Sequence, residues 1–259
     1  MVDFLLSLPT WLGCSVAMAT TTVAGFVFYL VFVKFIEKYK GYDLKDPINN
    51  VFRVVGLLVS LMLALTFSEV ISDLKTIRRA IRQEAVAISD VFKTLKLYDI
   101  DKTRKIRATL IEYTKAITND EWLTLADDKL DQRVEALRNQ FVEAVINLKP
   151  VNSSQEMLRS QIAADLDSLS DYRNIRLISA LAEPPFFIYI IIFGFLVTMA
   201  CFGAYPPQTP LVVLISFYTV FIGLVLYLIL QLSDPFEGDI GVSARPLEYL
   251  VESLQSEIK

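Results

Sequence analysis

The sequence predicts an all-α integral membrane protein with four transmembrane helices and a helical domain inserted between the second and third. Three observations carry this. No charge falls between Asp3 and Lys34, and none between Glu183 and Asp234, runs too long for a soluble domain to bury. A polar, strongly helical stretch separates the two apolar regions. No segment shows the period-two alternation of a strand.

Composition narrows function by exclusion. The 259 residues are 54% hydrophobic and 21% charged, close to soluble averages, so the distribution decides where the mean does not. The absence of histidine removes mechanisms that need an imidazole base or ligand. Cys14 and Cys201 lie apart, each in an apolar span, and read as small packing residues rather than a redox or zinc pair. A net charge of −4 with no basic block argues against nucleic acid. No glycine-rich phosphate loop occurs. The chain is not expected to be an enzyme, and no cofactor is called for.

The first span runs from Trp11 to Val33, closed by Lys34, Lys38 and Lys40, and GYDLKDP reads as a polar turn. The second has only fifteen uncharged residues between Arg53 and Glu69, or roughly 23 Å against a hydrocarbon core of roughly 30 Å. Its ends either snorkel, or the helix is shielded from lipid and lines an aqueous path. These helices occupy residues 1–68.

Residues 69–183 form the expected extramembrane domain. Phe67, Val70, Leu74, Ile77, Ile81, Ile88, Val91 and Leu95 follow one 3-4 seam that continues the second span, and Glu84 is its one non-apolar position. A helix fits Thr103–Thr118, punctuated by Asn119-Asp120. Another covers about Lys129–Leu148, stopped by Pro150. Ser153 or Ser154 is placed to cap a fourth, carrying Leu158, Ile162, Leu166 and Leu169. Pro184-Pro185 marks re-entry. The third span reaches about Gly203 and the fourth runs from near Leu211 to Leu232, so residues 184–233 complete the membrane part. A tail, 234–259, ends in a short polar helix.

An even number of spans places both termini and the domain on one side. The first hairpin carries Lys34, Lys38, Lys40, Lys45 and Arg53. Against it stand Lys75, Arg78, Arg79, Arg82, Arg173, Arg176 and Arg245. Seven against five does not fix the orientation.

Four segments, TIRRAIRQEAVAISDVFKTLKLYD, IRATLIEYTKAITNDEW, YRNIRLISA and LSDPFEGDIGV, resemble a bacterial bestrophin-like family of unassigned function. More remotely, the four-span plan, the helical insertion and Asp234-Pro235-Phe236-Glu237-Gly238-Asp239 resemble the bestrophin ion channels. The resemblance implies a homo-oligomeric, pentameric ion channel in the cell (inner) membrane. Its second span would line the pore, and the helical domain and both termini would be cytoplasmic. Bestrophins carry an NPFGEDDDDFE-like calcium clasp after the last span. This chain has Glu237 and Asp239 without the acidic run, so at most a weak cation site at Asp234, Glu237 and Asp239 is expected.

The residues themselves leave alternatives open. Gly56, Ser60 and Ala64 share one face and suit either close helix packing or a pore lining. Leu57, Leu63 and the neighbouring Leu61 and Met62 offer apolar bulk for a constriction. Arg78, Arg79 and Arg82 would make an anion-attracting vestibule if repeated in a ring, or meet lipid headgroups. Glu69 and Asp73 would favour cations if they faced the axis. Glu84 requires a buried partner, for which Arg173 and Arg176 stand at a similar depth. The expected partners are membrane lipid, further copies of the chain and permeant ions. Two functions are open, with an anion-favouring channel ahead of a non-conducting scaffold or signalling protein whose helical domain binds a partner.

Overall fold

The computed structural model describes residues 8–38, 45–125, 129, 131–180, 185–236 and 241–258, and no strand occurs among them. The helices follow in order: α1 Thr10–Glu37, α2 Lys45–Tyr98 and α3 Arg104–Ala116, then a π-helical turn, Ile117–Glu121, leading into α4 Trp122–Leu125. After these come α5 Gln132–Ile146, α6 Ser153–Ala180, α7 Phe187–Phe202, α8 Thr209–Ser233 and α9 Arg245–Ile258. The chain divides into two compact units, one of Met1–Ser72 and Glu183–Gly241, the other of Asp73–Ala182 and Val242–Lys259.

In the first unit, α1, α2 and α8 are long and apolar enough to cross a membrane. The third expected span, α7, is apolar but has 16 residues, about 24 Å of helix. The unit packs around Tyr29, Val59, Ile191, Phe195, Ile215 and Ile229. Glycine lets α1 and α8 approach closely. A Cβ on Gly25 would lie 2.6 Å from the Thr219 methyl, and one on Gly223 would collide with Thr21 Oγ1. Such small-residue crossings replace the hydrophobic drive that lipid does not supply. The Tyr29 hydroxyl donates to Tyr205 O at 3.0 Å, and the Tyr205 hydroxyl donates to Asn49 Oδ1 at 2.7 Å.

In the second unit the seam of α2 is the spine. Leu74, Ile77, Ile81, Ile88, Val91 and Leu95 are all buried, as are Leu110 and Tyr113 of α3, Phe141 of α5 and Ile162 and Leu169 of α6. Asp99 makes the turn that ends α2, its Oδ1 accepting the Asp101 and Lys102 backbone N–H groups at 3.1 and 3.0 Å. The Lys102 bond holds its carboxyl below the usual range. Asp131 caps α5 by accepting from the backbone N–H groups of Arg133 and Val134. The cap of α6 is Asn152 rather than Ser153 or Ser154. Its Oδ1 accepts from Gln155 N at 2.8 Å while Gln155 Oε1 accepts from Val151 N at 2.9 Å, a variant of the capping box whose return bond reaches the residue before the cap. The tail helix α9 buries Leu247 and Leu254 and pairs Glu257 with Lys96 at 2.9 Å.

Asn119-Asp120 does not stop α3. The backbone widens into the π turn and stays helical to Leu125, because the next inward side chain, Glu121, finds buried partners there.

Candidate functional site

Every residue singled out on the second span lies on α2, a single helix of 54 residues. In the first unit one side of it is packed and the other is bare. Val59 and Thr66 are buried, and Leu63 and Met62 pack against the chain's own core. Leu57, Ser60, Leu61 and Ala64 are exposed. Gly56 has open space where a Cβ would go. Ser60 Oγ donates to Gly56 O at 2.8 Å, so its hydroxyl is satisfied by the helix itself. At about 100° per residue, Glu69 lies about 120° round from Leu57, at the edge of the bare face beside the exposed Leu58 and Leu65, and it is exposed.

In the second unit Asp73, Arg78, Arg79 and Arg82 are exposed, and Arg82 Nε donates to Arg78 O at 3.1 Å. The side of the same helix away from the three arginines carries Glu84, fully buried. Arg176 meets it with two prongs, Nε to Oε2 at 2.8 Å and Nη2 to Oε1 at 3.0 Å, and reaches Glu121 Oε2 at 2.8 Å. Arg173 does not touch Glu84. It bonds Glu121 Oε1 at 2.8 Å and Glu135 Oε2 at 2.9 Å. The result is a chain, Glu84–Arg176–Glu121–Arg173–Glu135, drawn from α2, α6, the π turn and α5. The Trp122 ring lies 5.7 Å from the Arg176 guanidinium carbon, a cation–π cover.

Two internal carboxylates balance two internal guanidiniums, and that balance makes the burial tolerable. Burial alone would pull Arg176 down, but Glu84 and Glu121 outweigh it and hold the guanidinium protonated above its ordinary range. Tyr113, also buried, has its hydroxyl pushed upward, first by burial and then by the Glu84 charge. That hydroxyl has no hydrogen-bond partner among the described residues.

Sequence reasoning missed Glu121 and Glu135. A signal for the first existed, since the seam Ile106, Leu110, Tyr113, Ile117 next falls at 120 and 121, both acidic. Only the π turn chooses between them. Of the cation-site candidates, Asp234 Oδ1 accepts from Phe236 N at 3.4 Å, while Glu237 and Asp239 lie outside the described residues. Among the described residues no group of three or more acidic or thiol side chains is placed to hold a metal.

Comparison with known proteins accords with this architecture. Solved structures of a bacterial Bestrophin homologue from Klebsiella pneumoniae share the fold. One, carrying a single substitution, gives a TM-score of 0.65 at 14% identity, covering 93% of this chain and 100% of that one. Another gives 0.60 at 14%, covering 93% and 96%. No curated protein sequence matches. The Bestrophin-like domain model matches residues 18–247, nearly the whole of both units, and the chain therefore belongs to the Bestrophin-like family.

Proposed function

We propose that the chain is one subunit of a homo-oligomeric ion channel whose pore is lined by α2, with anions favoured. The observation that carries this reading is α2 itself. It is one unbroken helix, packed on one side only. Its bare side bears Leu57, Ser60 and Ala64 in the apolar half, and arginines stand exposed further along. Copies of α2 around an axis would give a narrow apolar stretch among Gly56, Leu57, Ser60 and Ala64, with Leu63 behind it, followed by a basic vestibule. Arg78, Arg79 and Arg82 with Lys75 place four cations within eight residues, and a ring of them concentrates anions. Glu69, one acidic side chain at the edge of the bare face, is outnumbered by these four cations.

The fold class is an all-α membrane protein. Its four-span form, with α7 as a short third crossing, is part of the proposal, as are the inner membrane, the pentamer and a cytoplasmic helical domain. Purified protein in nanodiscs should run as an oligomer in native mass spectrometry and pass ions in bilayers. Thiol labelling at Lys102→Cys and Gln208→Cys should occur from opposite sides of the membrane. A stable monomer, or labelling of both from one side, would overturn the arrangement. An oligomer sealed along its axis that passes no ions would favour the scaffold reading.

A further inference from the structure

Below Asp73 the packed side of α2 consists of two rows with seven-residue spacing. Leu74, Ile81, Ile88 and Leu95 form one, and Ile77, Glu84, Val91 and Tyr98 the other; all eight are buried. Seven residues is two helical turns, so rows of Ile, Val and Leu present nearly the same surface after a slide of one repeat. Apolar packing alone does not distinguish such registers. Glu84 is the only charged member of either row. It fits where Arg176 supplies two hydrogen bonds and Glu121 completes the guanidinium's shell. In a slipped register the buried carboxylate would leave Arg176, which would keep Glu121 alone and lose its two bonds to Glu84.

We propose that Glu84 is the register pin of α2. With Arg176 and Glu121 it sets the height of the helix in its unit, and so fixes which of two positions one repeat apart is covered: Arg78 is exposed and Ala85, seven residues on, is buried. It is a positioning residue, acting on the arginines through the helix that carries them both. The consequence for conduction rests on the channel reading above; the register itself does not.

The test is thiol labelling of assembled protein in nanodiscs, with Cys14 and Cys201 replaced by alanine. Single cysteines are placed at Arg78 or Ala85, since a slide of one repeat in one direction brings Ala85 to the exposed place of Arg78 and in the other buries Arg78 in the place of Ala85. With Glu84 intact, Arg78→Cys should react at least tenfold faster than Ala85→Cys. Glu84→Leu with Arg176→Met removes both charges together and leaves Arg173 with Glu121. In that background the ratio should fall below threefold, with helix content and oligomer size unchanged. A ratio that stays tenfold or more overturns the proposal. If the double variant does not assemble, Glu84→Gln decides by the same ratio: collapse supports the pin, and an unchanged ratio overturns it. Labelling requires no ion flux, so a Glu84-sensitive pattern in a protein that conducts nothing would sink the channel reading alone.

Discussion

Arg176 of α6 grips both oxygens of Glu84 of α2, at 2.8 and 3.0 Å, with both side chains wholly withdrawn from solvent. In sequence the two are ninety-two residues apart, so the pair ties the start of the helical unit to its end. Removing one partner leaves the other charged and buried, which typically costs about 3–5 kcal/mol. Arg176→Ala and Glu84→Ala should therefore each lower the thermal transition of the detergent-solubilised protein sharply. Glu84→Leu with Arg176→Met should restore most of the loss, since an apolar pair of similar volume is often neutral or better. A double variant no more stable than the singles would contradict this account.

Tyr113 offers a pH test with a definite sign. Burial and the Glu84 charge raise its hydroxyl above the ordinary value of about 10, so the fold favours the neutral phenol. The resulting stability is complete below about pH 10 and is lost as pH rises toward the folded value. Tyr113→Phe should remove that alkaline liability and shift the base-induced unfolding midpoint upward. Near neutral pH the substitution should change stability by less than about 1 kcal/mol, because the hydroxyl has no hydrogen bond among the described residues to lose. Circular dichroism across an alkaline titration reads both quantities. An unchanged alkaline midpoint would argue that Tyr113 reaches water.

The contact of Gly194 on α7 with Val59 on α2 predicts a size-complementary rescue. A Cβ at Gly194 would collide with the Val59 side chain, so Gly194→Ala should destabilise the first unit by roughly 1–3 kcal/mol, as overpacking does. Adding Val59→Ala should recover part of that loss. Thermal unfolding of the three variants in one detergent gives the coupling. Additive losses would mean that the crossing of α2 and α7 relaxes elsewhere.

The parts of this fold that are readable from sequence are those fixed by local periodicity. The charge-free runs mark α1, α7 and α8, and the seam from Phe67 to Leu95 marks α2 as one rod. Glu84 stands out because it interrupts that seam, and a buried carboxylate demands a cation. What stays hidden depends on tertiary choice. Arg173 and Arg176 are three residues apart on α6 and equally basic, and only packing sends one to Glu84 and the other to Glu135. Asn119-Asp120 reads as a helix stop because both residues favour turns, yet the buried arginines hold the backbone helical through a π turn that no propensity scale anticipates. The tail helix reads as polar, but Leu247, Val251 and Leu254 recur every three to four residues, and that stripe docks it on the helical unit.

The arginine cluster gives the prediction closest to function. Replacing Arg78, Arg79 and Arg82 together by Glu reverses six units of charge per subunit on exposed positions of α2. In a ring, that change inverts the vestibule potential and hence the local concentration of permeant ions. Reversal potentials under a salt gradient should shift toward cations, while substitutions at Leu57, Ser60 or Ala64 should alter conductance instead. The shift has a salt signature. The Debye length falls from about 10 Å at 0.1 M to about 3 Å at 1 M, so a vestibule effect should be largest in dilute salt and fade in concentrated salt. A filter contact within the narrow stretch would persist. If the arginines serve only lipid headgroups, the triple reversal should weaken association with anionic vesicles and leave the reversal potential unmoved. Bilayer recordings of parent and variant at both salt levels separate the two roles. A salt-independent selectivity that survives the reversal would place ion discrimination in the apolar half of α2, among Gly56, Leu57, Ser60 and Ala64.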